Sequence, residues 1–257
     1  MSAHGRGDPT VSSGPISIGP DVETADPAYQ LRFRGAVGAY FLERQEQAVR
    51  ALLPSAELLG GARVLDHAGG HCQLEPMLLS AGCDVTVSGS APSCGARVSG
   101  STRFICAPLD AVPEPDGAFD HVISIRLLAH AEVPRSIVAE LCRLARQSVI
   151  VDYPSRRSVN VLAEIGFAHK RKLEKDTRRF RVFTDGEIDR HFASCGFERT
   201  GEVRQFMLPM AAHRAAGSNG SLRAFERLAE KVGLTGLFGS PVIARFEPAG
   251  KRGKPAA

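Results

Sequence analysis

The stretch VLDHAGGHCQLEPMLLSAGCDVTVSGS, residues 64–90, decides the fold class. It opens with a short apolar strand that ends in an acid, Asp66, and passes through the pair Gly69-Gly70 into an apolar helical segment that ends at Gly82. A second apolar strand, CDVTVSG, follows at once. Strands without polar alternation that are separated by a helix are typical of a parallel sheet covered on both faces.

The same alternation continues along the chain. TRFICAPL is predicted to be a third strand, FDHVISIRLLAH a fourth strand that runs into a loop, and QSVIVDY a fifth. Pro134 opens the helix before the fifth strand, and a helix, a strand, a helix and a strand follow up to residue 247. Because crossovers between parallel strands are right-handed, the carboxyl ends of the strands meet at one edge, where such sheets bind ligands.

Composition narrows the class of protein. The chain has 257 residues, of which 43% are hydrophobic and 23% charged, and its formal net charge is +4. These values fit a globular protein and no fibrous or disordered one, and so small a surplus of charge does not argue for nucleic acid. No apolar run approaches the roughly 20 residues of a membrane span, and the N-terminus does not read as a signal peptide. The six cysteines form no CxxC pair, so we expect buried thiols and a cytoplasmic protein.

The chain is predicted to hold one domain between two tails. The first residues are rich in Gly, Ser, Pro and Asp without periodicity, which is typical of disorder. The predicted division is a disordered tail at 1–28, a domain at 29–247 with its core at 60–155 and inserted segments at 156–183 and 205–238, and a basic tail at 248–257.

The strand, the acid and the glycine pair at 64–72 resemble the first motif of the class I S-adenosylmethionine-dependent methyltransferases, V-L-D-x-G-x-G-x-G. Downstream, PDGAFDHV at 115–122 resembles the family's fourth strand, and the resemblance covers about residues 60–155. It implies a single Rossmann-like, doubly wound α/β domain with a mostly parallel seven-stranded sheet and helices on both faces. It also implies S-adenosylmethionine as cofactor and, as our hypothesis, a small-molecule methyl acceptor.

The resemblance assigns roles to single residues. Asp66 would order the glycine loop and the methionine end of the cofactor, and Gly69 and Gly70 would let the backbone approach it. Asp110, after the third strand, resembles the acid that accepts the adenine amino group, and a plain turn residue is the alternative.

Two positions depart from the family's pattern. Cys72 stands where the last motif glycine usually lies, and the second strand ends in Ser88-Gly89-Ser90 where an acid usually binds the ribose hydroxyls. Ser88 or Ser90 would make a weaker, neutral hydrogen bond there. Two alternatives therefore stay open: a non-catalytic relative that keeps the fold as a binding module, and an NADP-binding oxidoreductase that uses the serines and Arg97. The latter fold expects G-x-G-x-x-G, whose third glycine is missing here.

Candidates for the acceptor side follow the fourth and fifth strands. His130 is a candidate general base, with a packing role as the alternative. Arg126 would pair with an anionic group of the substrate or be a solvated residue, and Tyr153 would line the pocket. We expect no metal site, since His67 and His71 have no obvious further ligands nearby.

Residues 169–181 hold seven Lys or Arg against two acids. A solvated helix face explains such a run, and an anionic substrate or an RNA are the alternatives. Aromatic residues make up only 6% of the chain, which disfavours RNA because single-stranded recognition depends on stacking.

Overall fold

The computed structural model describes residues 19–158, 180–215 and 220–250. Its strands are β1 (Arg63–His67), β2 (Asp84–Gly89), β3 (Arg103–Cys106), β4 (Phe119–Ser124), β5 (Ala145–Tyr153), β6 (Phe197–Phe206) and β7 (Ser240–Pro248). Its helices are α1 (Asp21–Ala25), α2 (Pro27–Gln30), α3 (Gly35–Leu52), α4 (Ala56–Leu59), α5 (Glu75–Ser80), α6 (Pro134–Leu144), α7 (Asp185–Ala193), α8 (Met210–Ala215), α9 (Gly220–Lys231) and α10 (Leu234–Phe238).

The seven strands form one sheet in the order β3-β2-β1-β4-β5-β7-β6. Strands β1 to β5 pair in parallel, whereas β7 lies antiparallel between β5 and β6. The predicted fold class, a mostly parallel seven-stranded sheet with helices on both faces, is confirmed. The carboxyl ends of the five parallel strands lie at one edge.

The parallel strands are apolar throughout because both of their faces are buried. Val64 packs with α3 and α5 on one side of the sheet, and its neighbour Leu65 packs with α6 and α7 on the other. Val122 and Ile123 of β4 divide between the two cores in the same way. Successive side chains of a strand point to opposite faces, so each core takes every second residue.

The structure adds detail to the predicted division of the chain. The short helix α1 lies within the range 1–28 that the sequence predicts to be disordered, and α2 begins inside it. Of the predicted insertion at 156–183, residues 159–179, with most of the basic run, lie outside the described residues. The predicted basic tail is described only up to residue 250.

Among the helices that the structure describes, none combines the length and apolar character that crossing a membrane requires.

Candidate active site at the carboxyl edge of the sheet

The glycine loop after β1 folds tightly around the carboxyl group of Asp66. Asp66 is buried, and a Cβ atom placed on Gly69 would lie 2.3–2.7 Å from the Asp66 carboxyl atoms. Gly70 follows, also buried, where a Cβ atom would meet Ala25 of α1 at 2.9 Å. Only residues without a side chain permit both approaches.

Of the residues that the structure describes, three other than glycine adopt left-handed backbone conformations, and all three lie at this edge. Ala68 and Cys72 of the glycine loop have φ values of 59° and 52°, and Arg126, after β4, has a φ of 65°. Cys72 thus takes the conformation that glycine adopts without penalty, at the very position where the motif usually has glycine. Such backbone strain concentrates at functional sites because the surrounding structure has to hold it in place.

Two buried carboxyl groups flank Arg126. Burial raises the pKa of Asp66 to about 7, while the Arg126 guanidinium acts in the opposite direction. Burial likewise raises the pKa of Asp152, at the end of β5, to about 6. Asp152 Oδ1 accepts a hydrogen bond from the Arg126 backbone N–H at 2.6 Å, and its Oδ2 accepts one from Gln45 Nε2 at 3.4 Å. The ends of β1, β4 and β5 therefore share one electrostatic centre.

The side chains of Arg126 and His71 meet on the ring of Phe33. The guanidinium lies 5.1 Å from the ring centroid, and His71 makes an edge contact at 5.4 Å. Arg126 Nη1 and both ring nitrogens of His71 are buried without a hydrogen-bond partner among the described residues. Burial lowers the pKa of His71 to about 4, so its ring is neutral at pH 7. Unpaired buried donors and acceptors favour a polar ligand here.

The end of β2 binds the chain's own N-terminal segment. The Ser88 hydroxyl is within hydrogen-bond distance of His67 Nδ1, at 3.0 Å, inside the protein. The Ser90 N–H and hydroxyl both donate to the carboxylate of Asp21, at 2.7 and 2.5 Å. Of the two serines predicted to replace the ribose acid, one thus faces the interior and the other holds an acid from α1.

The remaining predicted residues lie in three different surroundings. Asp110 is exposed in the turn after β3, at the same edge as Asp66. His130 ends a short 3-10 turn after β4, with its ring 5.7 Å from that of Phe180. Tyr153 is fully buried, and its hydroxyl donates to Asp185 Oδ1 at 2.9 Å, on the side of the sheet that carries α7.

Sequence reasoning missed the contributions of Asp21 and Phe33 to this edge. Both lie in or beside a stretch whose composition predicts disorder, and the partner of Asp21 is 69 positions away. The signal in the sequence was the missing acid at the end of β2. Its absence indicated that another group had to occupy that position.

Within the described residues, no group of three or more His, Cys, Asp and Glu side chains is arranged to hold a metal ion.

The edge fits an adenosine-type cofactor by its backbone and its charges. The glycine pair lets the backbone approach closely, Asp66 places a carboxyl group beside it, and the strand ends of β2 and β3 adjoin it. In open α/β sheets, ligands bind in this crevice outside the carboxyl ends of the strands.

Comparison with known proteins agrees with this arrangement. Residues 68–151 match the sequence profile of a family described as a methyltransferase domain. No curated protein matches the chain.

Solved structures resemble the whole fold. The magnesium protoporphyrin IX methyltransferase of Synechocystis, with bound S-adenosylhomocysteine, is 16% identical; the match covers 86% of this chain and 93% of that one, with a TM-score of 0.60. For an S-adenosylmethionine-dependent methyltransferase of Thermotoga maritima, the identity is 17%, the coverage 86% and 93%, and the TM-score 0.59. A methyltransferase of Haloferax volcanii, solved with its activator Trm112, is 15% identical with coverage of 91% and 99% and a TM-score of 0.58. These likenesses concern the fold.

The profile match begins in the glycine loop around Asp66 and ends in β5, so it spans the edge at which the buried carboxyl groups meet. Residues 68–151 are therefore similar to a methyltransferase domain.

Proposed function

We propose that this protein transfers a methyl group from S-adenosylmethionine to a small-molecule acceptor at the carboxyl edge of the sheet. The observation that carries the proposal is the glycine loop wrapped around the buried Asp66 carboxyl, beside the ends of β2 and β4. When bound, S-adenosylmethionine supplies an electrophilic methyl group on its sulfonium sulfur.

The cofactor side of the site is proposed as follows. Asp66 orders the loop and faces the methionine end, Gly69 and Gly70 let the backbone approach the ligand, and Asp110 accepts from the nucleobase. Ser90 lies at the ribose side, where it is bound to Asp21. Ser88 contributes through His67, because its hydroxyl is within hydrogen-bond distance of that ring rather than at the edge.

The acceptor side is proposed around Arg126. Its guanidinium has an unpartnered nitrogen, which suits an anionic group on the acceptor. His130 is the proposed general base, since an imidazole suits proton removal near neutral pH. We keep Tyr153 as a supporting residue that acts through the packing of β5, because its hydroxyl is bound to Asp185.

Positioning of the two reactants accounts for most of the rate enhancement in a methyl transfer. The protein holds the acceptor nucleophile in line with the methyl group and excludes water. The edge needs no nucleophilic side chain of its own, and we assign to Arg126 and His71, beside Phe33, the role of orienting the acceptor.

We further propose that the protein works in the cytoplasm. All six cysteines are free thiols, and three of them, Cys83, Cys94 and Cys142, are buried. Free thiols are typical of a reducing compartment.

A calorimetric titration with S-adenosylhomocysteine tests the proposed function. We expect micromolar binding by the unaltered protein and a loss of at least tenfold in affinity for Asp66→Asn, which removes the ionisable group beneath the glycine loop. Asp116→Asn is the control: this acid is exposed and, among the described residues, is paired only with Arg143 at the surface, so its removal leaves the affinity unchanged.

NADPH serves as the competing ligand in the same titration. Binding of NADPH alone contradicts the proposal in favour of an oxidoreductase. Binding of neither ligand favours a module that keeps the fold without catalysis. A screen of pooled metabolites for methyl incorporation from labelled S-adenosylmethionine then identifies the acceptor.

A further inference from the structure

The N-terminal strap, defined here as Gly19–Phe33, lies across the carboxyl edge of the sheet. It contains α1 and α2 and is attached at its start by Asp21, whose side chain is only 1% exposed. The Asp21 carboxylate accepts hydrogen bonds from the Ser90 N–H, the Ser90 hydroxyl and the Cys94 thiol, at 2.7, 2.5 and 3.3 Å. The Gly19 N–H donates to the Ser90 hydroxyl at 2.8 Å. A buried carboxylate with three donors forms charge-assisted bonds, about twice as strong as neutral ones.

The strap covers the glycines of the site at van der Waals distance. A Cβ atom on Gly70 would lie 2.9 Å from Ala25 Cβ, and one on Gly89 would lie 3.2 Å from Asp21 Oδ2. A Cβ atom on Gly19 would lie 2.7 Å from Leu109, just before the turn that holds Asp110. The backbone that a nucleoside would approach is therefore already in contact with the chain's own residues.

The far end of the strap closes the other half of the edge. Phe33 lies against His71 and beneath the Arg126 guanidinium, and these two side chains carry the buried nitrogens without partners. The buried nitrogens of Arg126 and His71 thus face an apolar part of the strap and make no hydrogen bond there. This costs free energy, unless a polar ligand takes the place of the strap in another state of the protein.

We infer that the strap occupies the nucleoside part of the cofactor site, with Asp21 as its latch, and that it moves away before S-adenosylmethionine binds. The inference rests on the proposed function. Ala25 fills the surface over Gly70. Displacement of the strap is therefore favoured over the alternative that the strap stays in place and Asp21 itself binds the ribose hydroxyls. A binding site that is open for only a fraction of the time has an apparent dissociation constant raised by the inverse of that fraction.

Titration of the full chain with S-adenosylhomocysteine tests the inference. Removing the Asp21 carboxylate raises the affinity if the strap blocks the site and lowers it if Asp21 binds the ribose. Asp21→Asn places an amide where the Ser90 N–H, the Ser90 hydroxyl and the Cys94 thiol now donate to a carboxylate, and so weakens the latch. We expect the variant to bind S-adenosylhomocysteine about tenfold more tightly than the unaltered protein. Ala25→Gln, whose side chain is too long for the contact with Gly70, tightens binding as well and guards against an effect peculiar to Asp21.

Asp26→Asn is the matched control within the strap. Asp26 is exposed, and among the described residues its carboxylate accepts only from the Ala28 N–H, so its substitution leaves the affinity as it is. Hydrogen exchange provides a second readout: S-adenosylhomocysteine speeds the exchange of amides 21–25 and slows that of amides 69–71. Thermal unfolding shows that each variant is folded.

The outcomes separate the two proposals. Weaker binding by Asp21→Asn overturns the inference and makes Asp21 a ligand-binding acid, and unchanged affinity overturns it too. An absence of binding by the unaltered protein and by every variant contradicts the proposed function itself, and the inference falls with it.

Discussion

Gly69 and Asp66 illustrate how one atom constrains the site. The Asp66 carboxyl occupies the space that a side chain at position 69 would need. The sequence indicates a functional glycine from its place after a strand, and the structure identifies the group that approaches it.

Gly69→Ala is expected to lower the free energy of unfolding by about 1–3 kcal/mol, because the added methyl group forces the carboxyl or the loop to move. Binding of S-adenosylhomocysteine weakens in parallel. Urea unfolding measures the first effect and calorimetry the second.

Gly186→Ala is the control for this substitution. Gly186 lies in the first turn of α7, and a Cβ atom there would meet nothing within 4 Å. Alanine is favoured in helices, so stability stays the same or rises by up to about 1 kcal/mol. Equal losses at both positions would contradict the close approach at Gly69.

At the level of elements, Glu226 attaches α9 to the end of β6. Its carboxylate accepts from the Met207 and Leu208 N–H groups, each at 3.0 Å, and is paired with His213 Nε2 at 3.0 Å. Both side chains of the pair are buried, among the rings of Phe41 and Phe206. One side chain thereby satisfies three polar groups that folding removes from water.

Glu226→Ala is expected to cost about 2–4 kcal/mol in unfolding free energy, since it leaves two partly buried backbone donors and the buried His213 ring without this partner. Glu230→Ala, one turn further along α9, removes an exposed pair with Arg44 and costs less than about 1 kcal/mol. Chemical denaturation compares the two variants. A similar loss in both would show that α9 does not depend on the buried carboxylate.

The strap shows why composition misjudges short elements. Helices α1 and α2 have five and four residues, too few to be stable alone. Their order comes from tertiary contacts of Asp21, Thr24 and Ala25, which are buried. A stretch without periodicity therefore folds where a single acid is bound by groups just beyond the end of a distant strand, β2.

At the level of the whole molecule, buried titratable groups make stability depend on pH. Burial lowers the pKa of His121 to about 4, and its ring Nδ1 lies 2.8 Å from Ser148 Oγ inside the sheet. Because the unfolded ring binds a proton near pH 6.5, the stability present at neutral pH is lost as the pH falls toward 4. Asp66 has the opposite sign: its raised pKa stabilises the folded state at low pH, and this contribution is lost as the pH rises toward 7.

His121→Asn is expected to be less stable than the unaltered protein at pH 7, with a difference that shrinks as the pH falls to 4.5. The change is at most about 1.4 kcal/mol for each pH unit between 6.5 and 4. For Asp66→Asn the difference from the unaltered protein changes in the opposite direction over the same range. Urea midpoints across the pH series measure both, and a constant difference for His121→Asn would contradict the lowered pKa.

The sequence by itself determined the order of the elements, the parallel sheet and the glycine loop beneath the site. These follow from hydrophobic periodicity and from glycine at a strand end, which act over a few neighbouring residues. The sequence also showed the departures from the motif at Cys72 and at Ser88-Gly89-Ser90, because the motif has a fixed spacing.

Only the tertiary structure decided what those departures mean. It brought Asp21 to Ser90, directed the Ser88 hydroxyl to His67 and the Tyr153 hydroxyl to Asp185, and gathered Arg126 and His71 on Phe33. These partners are remote in the chain. Which donor meets which acceptor depends on how the packed elements bring them together. A local sequence pattern covers only neighbouring residues and so does not predict these pairs.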